Sequence, residues 1–362
     1  MFSFQDIGLW GMTAMMSPLS EERARASQWA RIGAMLGGLF PNLIQPILGF
    51  RDKFSFSLST MFFVCAVLFC FCGSMVSMLA YNAKERVPAP PNEDSFIKNL
   101  RVVKDNHMLL LLLLGNILER FRPSIDEIYV YQEMDYNVFG KNMTGELAST
   151  IFGAVSEIPG AAGMFFATKV AKRIGGMRNV LFTAKGLDIL TRVIRYFIGY
   201  KSFGRLAAMY FVGSVASIPK NMTGIASTAL WGDSIDYLEW KTGKRTEGIA
   251  FSLQIFIEKM GASIGSLLKG LFLGWMDYDE DLAEARIPQT SEKFKKWVWP
   301  LHQLGPIVGI ILYIICVLCV RYPAETKMRV EKELAERRAA RMAESGESNG
   351  TFVGDDVLGV PK

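Results

Sequence analysis

Cysteine is scarce in this 362-residue sequence, which has five: Cys65, Cys70, Cys72, Cys316 and Cys319, all inside long apolar runs. A disulfide framework staples polar loops around a small core, so a cross-linked secreted domain is excluded. Histidine is scarcer. His107 and His302 leave a histidine-rich metal centre little to work with. Charge of one sign is lacking too: 40 Lys and Arg against 35 Asp and Glu leave only +5, too little for a chain that grips nucleic acid by its backbone. An integral membrane enzyme would show a cluster of His, Cys, Ser or carboxylates at nucleophile or metal spacing. None is found, and Cys316-Val-Leu-Cys319 reads as helix core.

What the sequence has in abundance is apolar residues, 50% of the chain, with a mean hydropathy of +0.22. A soluble or disordered chain of this size carries less. The expected fold is an all-α polytopic membrane protein. Crossing hydrocarbon takes about 20 mainly apolar residues. Nine runs qualify: 1–18, 28–50, 56–81, 107–135, 147–170, 179–200, 205–231, 248–275 and 297–320. The links at 19–27, 82–106, 171–178 and 232–247 and the tail after 321 carry far more Lys and Arg than the links at 51–55, 136–146, 201–204 and 276–296. Basic links stay inside, so the C-terminus is expected in the cytoplasm of a cell bounded by this (inner) membrane. The first run begins at Met1 with no basic lead and no cleavage site, unlike a signal peptide.

The longest polar break, 82–106, is rich in proline (Pro88, Pro90, Pro91) and charge, as a linker between two bundles is. It divides the chain into 1–81 with three helices, the cytoplasmic loop 82–106, a six-helix bundle at 107–320 and a cytoplasmic tail at 321–362. The tail has i,i+4 charge pairing over 325–342 and reads as a solvated helix.

Several runs carry ionisable residues near their middles, where each costs about 3 kcal/mol against lipid. The three-, four- and seven-residue spacing of Glu119, Arg122, Asp126 and Glu133 in the 107–135 span puts them on one helical stripe; Lys185, Asp188, Arg192 and Arg195 share another. Glu258, Lys259, Lys269 and Lys220 add to them. Two readings account for the stripes. They line a wet cavity between helices, or they form buried ion pairs such as Arg122–Asp126 and Asp188–Arg192. On the first run, Asp6 and Trp10 lie one turn apart, a carboxylate for paired sugar hydroxyls and an indole for the apolar face of a pyranose.

Three stretches together resemble the glycoside–pentoside–hexuronide:cation symporters, the melibiose-permease-like branch of the major facilitator superfamily. The first is Asp6-Ile-Gly-Leu-Trp10 with Glu22-Arg23 and Arg31; the second is Trp231-Gly-Asp-Ser-Ile-Asp-Tyr-Leu-Glu-Trp-Lys-Thr-Gly-Lys-Arg-Thr-Glu-Gly248, similar to the family's loop between helices ten and eleven; the third is Phe251-Ser-Leu-Gln-Ile-Phe-Ile-Glu-Lys259. The resemblance implies a chain matching family helices 4–12, hence a cropped carrier or a non-transporting remnant. It implies symport of a sugar or glycoside with Na⁺, H⁺ or Li⁺ and no resident cofactor. By position, Asp6 resembles the carboxylate shared by sugar and cation, Trp10 the stacking aromatic, and Arg31 a second sugar contact. Lys259 resembles a coupling lysine. Arg23, Asp233, Asp236, Arg245 and Glu247 are similar to the charged network of the cytoplasmic gate. Arg122 and Arg192 join the substrate-binding candidates through the cationic stripes, which favour a hexuronide over a neutral disaccharide.

Overall fold

The structure is a computed structural model. It describes residues 58–78, 104, 106–133, 145–243, 247–284, 287–320 and 322–344, with scattered positions between 12 and 37. All described elements are helices. Residues 58–77 run without interruption through α1 (Leu58–Ala66), a π turn (Val67–Phe71) and α2 (Cys72–Ser77). Next come α3 (His107–Arg120), α4 (Ile128–Glu133), α5 (Gly145–Ile174), α6 (Met177–Ile198), α7 (Phe203–Thr242) and α8 (Glu247–Trp275). The last are the short α9 (Glu280–Glu284), α10 (Glu292–Gln303), α11 (Gly305–Leu318) and α12 (Ala324–Glu344).

The helix starts are capped as their sequence dictates. Asn106 accepts a hydrogen bond from the Leu109 amide at 3.1 Å and donates to Ser234 O at 2.7 Å, so the cap of α3 also ties it to α7. Ser202 and Ser291 cap α7 and α10. Between α5 and α6 the chain turns at Gly175 and Gly176, with φ of +85° and +116°, which side chains with a Cβ rarely adopt.

The expected single helix over 107–135 is corrected. It breaks at Phe121–Glu127, because Pro123 has no amide to donate and disfavours helix at Arg122. Glu119, Arg122, Asp126 and Glu133 therefore do not share one helical stripe. The expected loop beginning at Trp231 is corrected as well, since 231–242 continues α7. At 40 residues this helix is about 60 Å long, twice the hydrocarbon thickness, so part of it projects beyond a bilayer.

Two apolar cores lie at opposite ends of the helices. One gathers Leu109, Leu112, Val180, Leu181, Ile225, Trp231, Phe251, Tyr313 and Val317. The other gathers Ile125, Val130, Leu206, Met209, Leu273, Met276, Phe294 and Val298. On α6 the first core ends at Phe182 and the second takes up at Tyr196, leaving Lys185 to Arg195 between them. The outer faces are apolar: Phe197 is 79% exposed, Phe211 71%, Ile158 68% and Leu267 64%, while Lys185 is 9% exposed. A soluble fold puts its charges out and its phenylalanines in; this bundle does the reverse.

Backbones approach closely where glycine allows. A Cβ at Gly163 would stand 2.1 Å from Ile218 O, bringing α5 against α7. A Cβ at Gly305 would stand 1.6 Å from Pro123 O, and one at Gly309 2.4 Å from Glu119 O. α11 thus presses on the break after α3.

Candidate functional site

Between the two cores the bundle holds a file of charge. From α6, Lys185 donates to Glu119 at the end of α3 at 2.5 Å and lies 4.7 Å over the Tyr313 ring of α11. One turn on, Arg192 Nε donates to Asp188 at 3.1 Å. Arg122, in the break, is within electrostatic reach of Glu119, Asp188 and Arg192. Arg195 continues the file towards Asp188, Arg192 and Glu127. Tyr210 of α7 donates to Glu127, and His302 Nδ1 donates to Ile125 O at 3.0 Å. The His302 contact satisfies one backbone carbonyl of the non-helical segment 121–127, which is tolerated at membrane depth only when the protein itself supplies partners. Arg122, Asp188, Arg192 and Arg195 are each partly exposed, so the file is neither lipid-facing nor fully sealed.

The ion-pair expectation for these charges is met in part. The Asp188–Arg192 pair forms. The Arg122–Asp126 pair does not: the break carries Asp126 to Lys269 of α8 instead, at 2.5 Å. Arg122 and Arg192 lie within electrostatic reach of each other, whereas Lys259 is exposed on α8 beside Glu258, which accepts from Gln254 at 3.0 Å. Asp6, Trp10, Arg23, Arg31 and Arg245 lie outside the described residues, as does the side chain of Glu247.

A second polar assembly sits at the Thr242 end of α7. Asp233, Asp236 and Glu239 are buried there. Lys327 of α12 donates to Asp233 at 2.7 Å, Trp240 Nε1 donates to Glu333 at 2.6 Å, and Arg337 donates to Trp240 O at 3.0 Å. Val330 and Leu334, one helical turn apart, are 0% and 2% exposed beneath them. The tail is therefore docked onto α7, which corrects its reading as a solvated helix; the signal was Val330 and Leu334 at i,i+4 in an otherwise charged stretch. Hydrogen bonds from Arg329 and Trp240 hold the Glu333 carboxyl below its ordinary value. Burial pushes the Tyr322 hydroxyl up, and the nearby Asp233 adds to it. A cavity of about 230 Å³ opens beside this assembly, bordered by Arg178, Asn179, Asp233, Tyr322 and Lys327.

By length and composition, one helical stretch among the described residues, Glu292–Leu318, which α10 and α11 form together, is long and apolar enough to cross a membrane. α5, α6 and α8 are long enough, at 30, 22 and 29 residues, but carry charges within. Their place in a bilayer depends on those charges meeting each other or water, as Lys185 and Glu119 do.

The sequence profile of the MFS/sugar transport protein family matches residues 1–325. The chain belongs to this family. Among its relatives, the uncharacterized symporter YjmB of Bacillus subtilis (strain 168) is 28% identical over 285 residues, covering 76% of this chain and 58% of YjmB. A putative sulfoquinovose importer of Escherichia coli (strain K12) is 25% identical over 83% of this chain and 62% of the importer. The glucuronide carrier protein homolog of the same organism is 26% identical over 54% of this chain and 41% of the carrier. The chain thus spans less than two thirds of the length of these relatives. Members of the MFS/sugar transport family are multi-pass carriers of the cell membrane, not enzymes, and the all-α bundle with its outward apolar faces accords with that.

Proposed function

We propose that the chain works as a cation-coupled symporter of a sugar or glycoside, with preference for a hexuronide, by alternating access. The observation that carries this reading is the layering of the bundle: a charged, partly exposed file held between two apolar cores. A solute pathway needs polar surface at mid-depth and apolar seals above and below it, and a structural bundle needs neither. The surplus of cations in the file supports an acidic solute, and a glucuronide carrier homolog and a sulfoquinovose importer stand among the relatives.

In this reading 1–81 and 107–320 rock about a central site. Asp6, Trp10 and Arg31 hold the sugar, with Arg122 and Arg192 reaching it from the second bundle. Asp6 and Lys259 couple a monovalent cation, Na⁺, H⁺ or Li⁺. Arg23, Asp233, Asp236, Arg245 and Glu247 close the inner gate, with the C-terminus in the cytoplasm. Uptake of labelled glucuronide and of melibiose by cells carrying the chain tests it. Glucuronide uptake that stops when the cation gradient is collapsed is the expected result; a clear preference for melibiose would overturn the substrate assignment.

A further inference from the structure

Resting on the carrier reading for the orientation of the chain and not for its solute, we infer that the cytoplasmic end of the bundle binds one anionic phospholipid, its phosphodiester on Arg178 and an acyl chain against α3. Three helix ends meet at one level there. α3 starts at His107, where the Asn106 side chain reaches Ser234 O of α7. α6 starts at Met177, and Arg178 reaches the carbonyls that close α11. Only α7 runs on, to Thr242. Apolar helix surface stops at this level and charge begins, as it does where a bilayer gives way to water.

Two cavities adjoin at the junction. The one of about 230 Å³ has Arg178, Asn179 and Lys327 on its wall. The other, of about 500 Å³, is walled chiefly by Leu110, Leu111 and Leu114. Met108, Val320 and Tyr322 border both, so a polar chamber opens beside an apolar one. From His107 to Leu114 the apolar chamber follows α3 for about 10 Å. Leu110, Leu114 and Leu318 are exposed, which leaves it open to a hydrocarbon chain. A soluble phosphate would leave this chamber unfilled, and a plain hydrocarbon would leave the polar one unmatched. A molecule with a charged head and an apolar tail fits both.

The sign of the head follows from Arg178. Its Nη2 donates to Val317 O at 3.1 Å and to Leu318 O at 3.4 Å, and its buried Nε has no hydrogen-bond partner. The two carbonyls fix the guanidinium without neutralising it, and among the described residues no carboxylate pairs with it. The other cation on the wall, Lys327, is held by Asp233 at 2.7 Å, with Glu331 at 4.0 Å. A phosphodiester offers the oxygens a forked guanidinium takes. Lys172 and Arg173, exposed in the last turn of α5, draw anionic headgroups to the same surface, and basic pockets between helices on the cytoplasmic side are where such headgroups are recognised.

The test is native mass spectrometry of the purified chain, stripped of lipid in detergent, with palmitoyl-oleoyl phosphatidylglycerol, the diacylglycerol of the same chains, and glycerol phosphate. The wild type is expected to hold one phosphatidylglycerol about tenfold or more tightly than diacylglycerol. Arg178→Gln should remove that difference, a loss of about tenfold, and Arg178→Lys should restore part of it. An unchanged preference in Arg178→Gln would overturn the site. Glycerol phosphate binding as tightly as the lipid would overturn the lipid assignment. Should Arg178→Gln fail to fold, photolabelling of the wild type decides, using phosphatidylglycerol with a diazirine in its acyl chain. Label is expected on His107 to Leu114, displaced by unlabelled phosphatidylglycerol and not by diacylglycerol; label spread evenly over the outward faces would overturn the proposal. Neither readout uses a glycoside, so a chain that takes up no sugar but keeps the lipid on Arg178 loses the carrier reading alone.

Discussion

Single residues carry unequal weight here, and the reason is what each leaves behind when removed. Lys327 is the salt-bridge partner of Asp233, whose side chain is 8% exposed. Lys327→Ala strands a buried carboxylate, a defect worth on the order of 3 kcal/mol in a buried pair and less here because the lysine is one-third exposed. The expected outcome is earlier release of α12 in limited proteolysis, with Lys327→Arg close to wild type. Glycines give a sharper contrast. Gly305→Ala sets a methyl against Pro123 O and should lower stability by about 3 kcal/mol or more. Gly186→Ala, on α6 with nothing within 4 Å of its would-be Cβ, should instead raise it by about 0.5–1 kcal/mol. Thermal melts of the two variants in one detergent check both signs.

At the scale of an element, α12 is a helix held by side chains that titrate. Glu333 is depressed in the docked state by Arg329 and Trp240. A carboxylate of this kind contributes to docking above its ordinary titration range, and the contribution is lost as pH falls through the depressed value. Acidification below the usual carboxylate range should therefore loosen the tail, read by the fluorescence of Trp240, whose indole N–H donates to Glu333. Glu333→Gln should remove that pH response. The apolar contribution should persist: burying Val330 and Leu334 is worth about 1.5–3 kcal/mol each, so the helix loosens without leaving. The break between α3 and α4 is the other element with consequences. Length alone made 107–135 look like one span, but the charged stretch from Glu119 to Glu127 interrupts the apolar run there, and Pro123 after Arg122 marked the place.

At the scale of the molecule, the parts legible in the sequence were those written as periodicity. Lys185, Asp188, Arg192 and Arg195 fall on one face of a real helix because three- and four-residue spacing is a local property. Which residue pairs with which was not legible. Lys185 meets Glu119 across 66 positions of chain and Lys269 meets Asp126 across 143, contacts that spacing cannot encode. The length of α7 was hidden for another reason. Asp233, Asp236 and Glu239 look like loop residues by polarity, yet all three are buried against neighbouring helices. For the sugar site, Asp6→Cys should abolish binding of the glycoside if the family likeness of that position holds. Cys316→Ser should change it little, since Cys316 is buried among apolar residues far in sequence from any candidate contact. Paired binding isotherms distinguish them; similar losses in both would show that Asp6 is not a sugar ligand.

The waist of charge between two greasy ends also constrains how the chain is made. α6 by itself brings Lys185, Asp188 and Arg192 to the bilayer centre, at roughly 3 kcal/mol apiece, and cannot settle there until α3 has delivered Glu119. During synthesis the translocon must hold α6 back, or shelter it, for a neighbour already in the lipid. Tested alone in a glycosylation-based insertion assay, α6 should stay largely uninserted, and it should gain insertion when α3 precedes it.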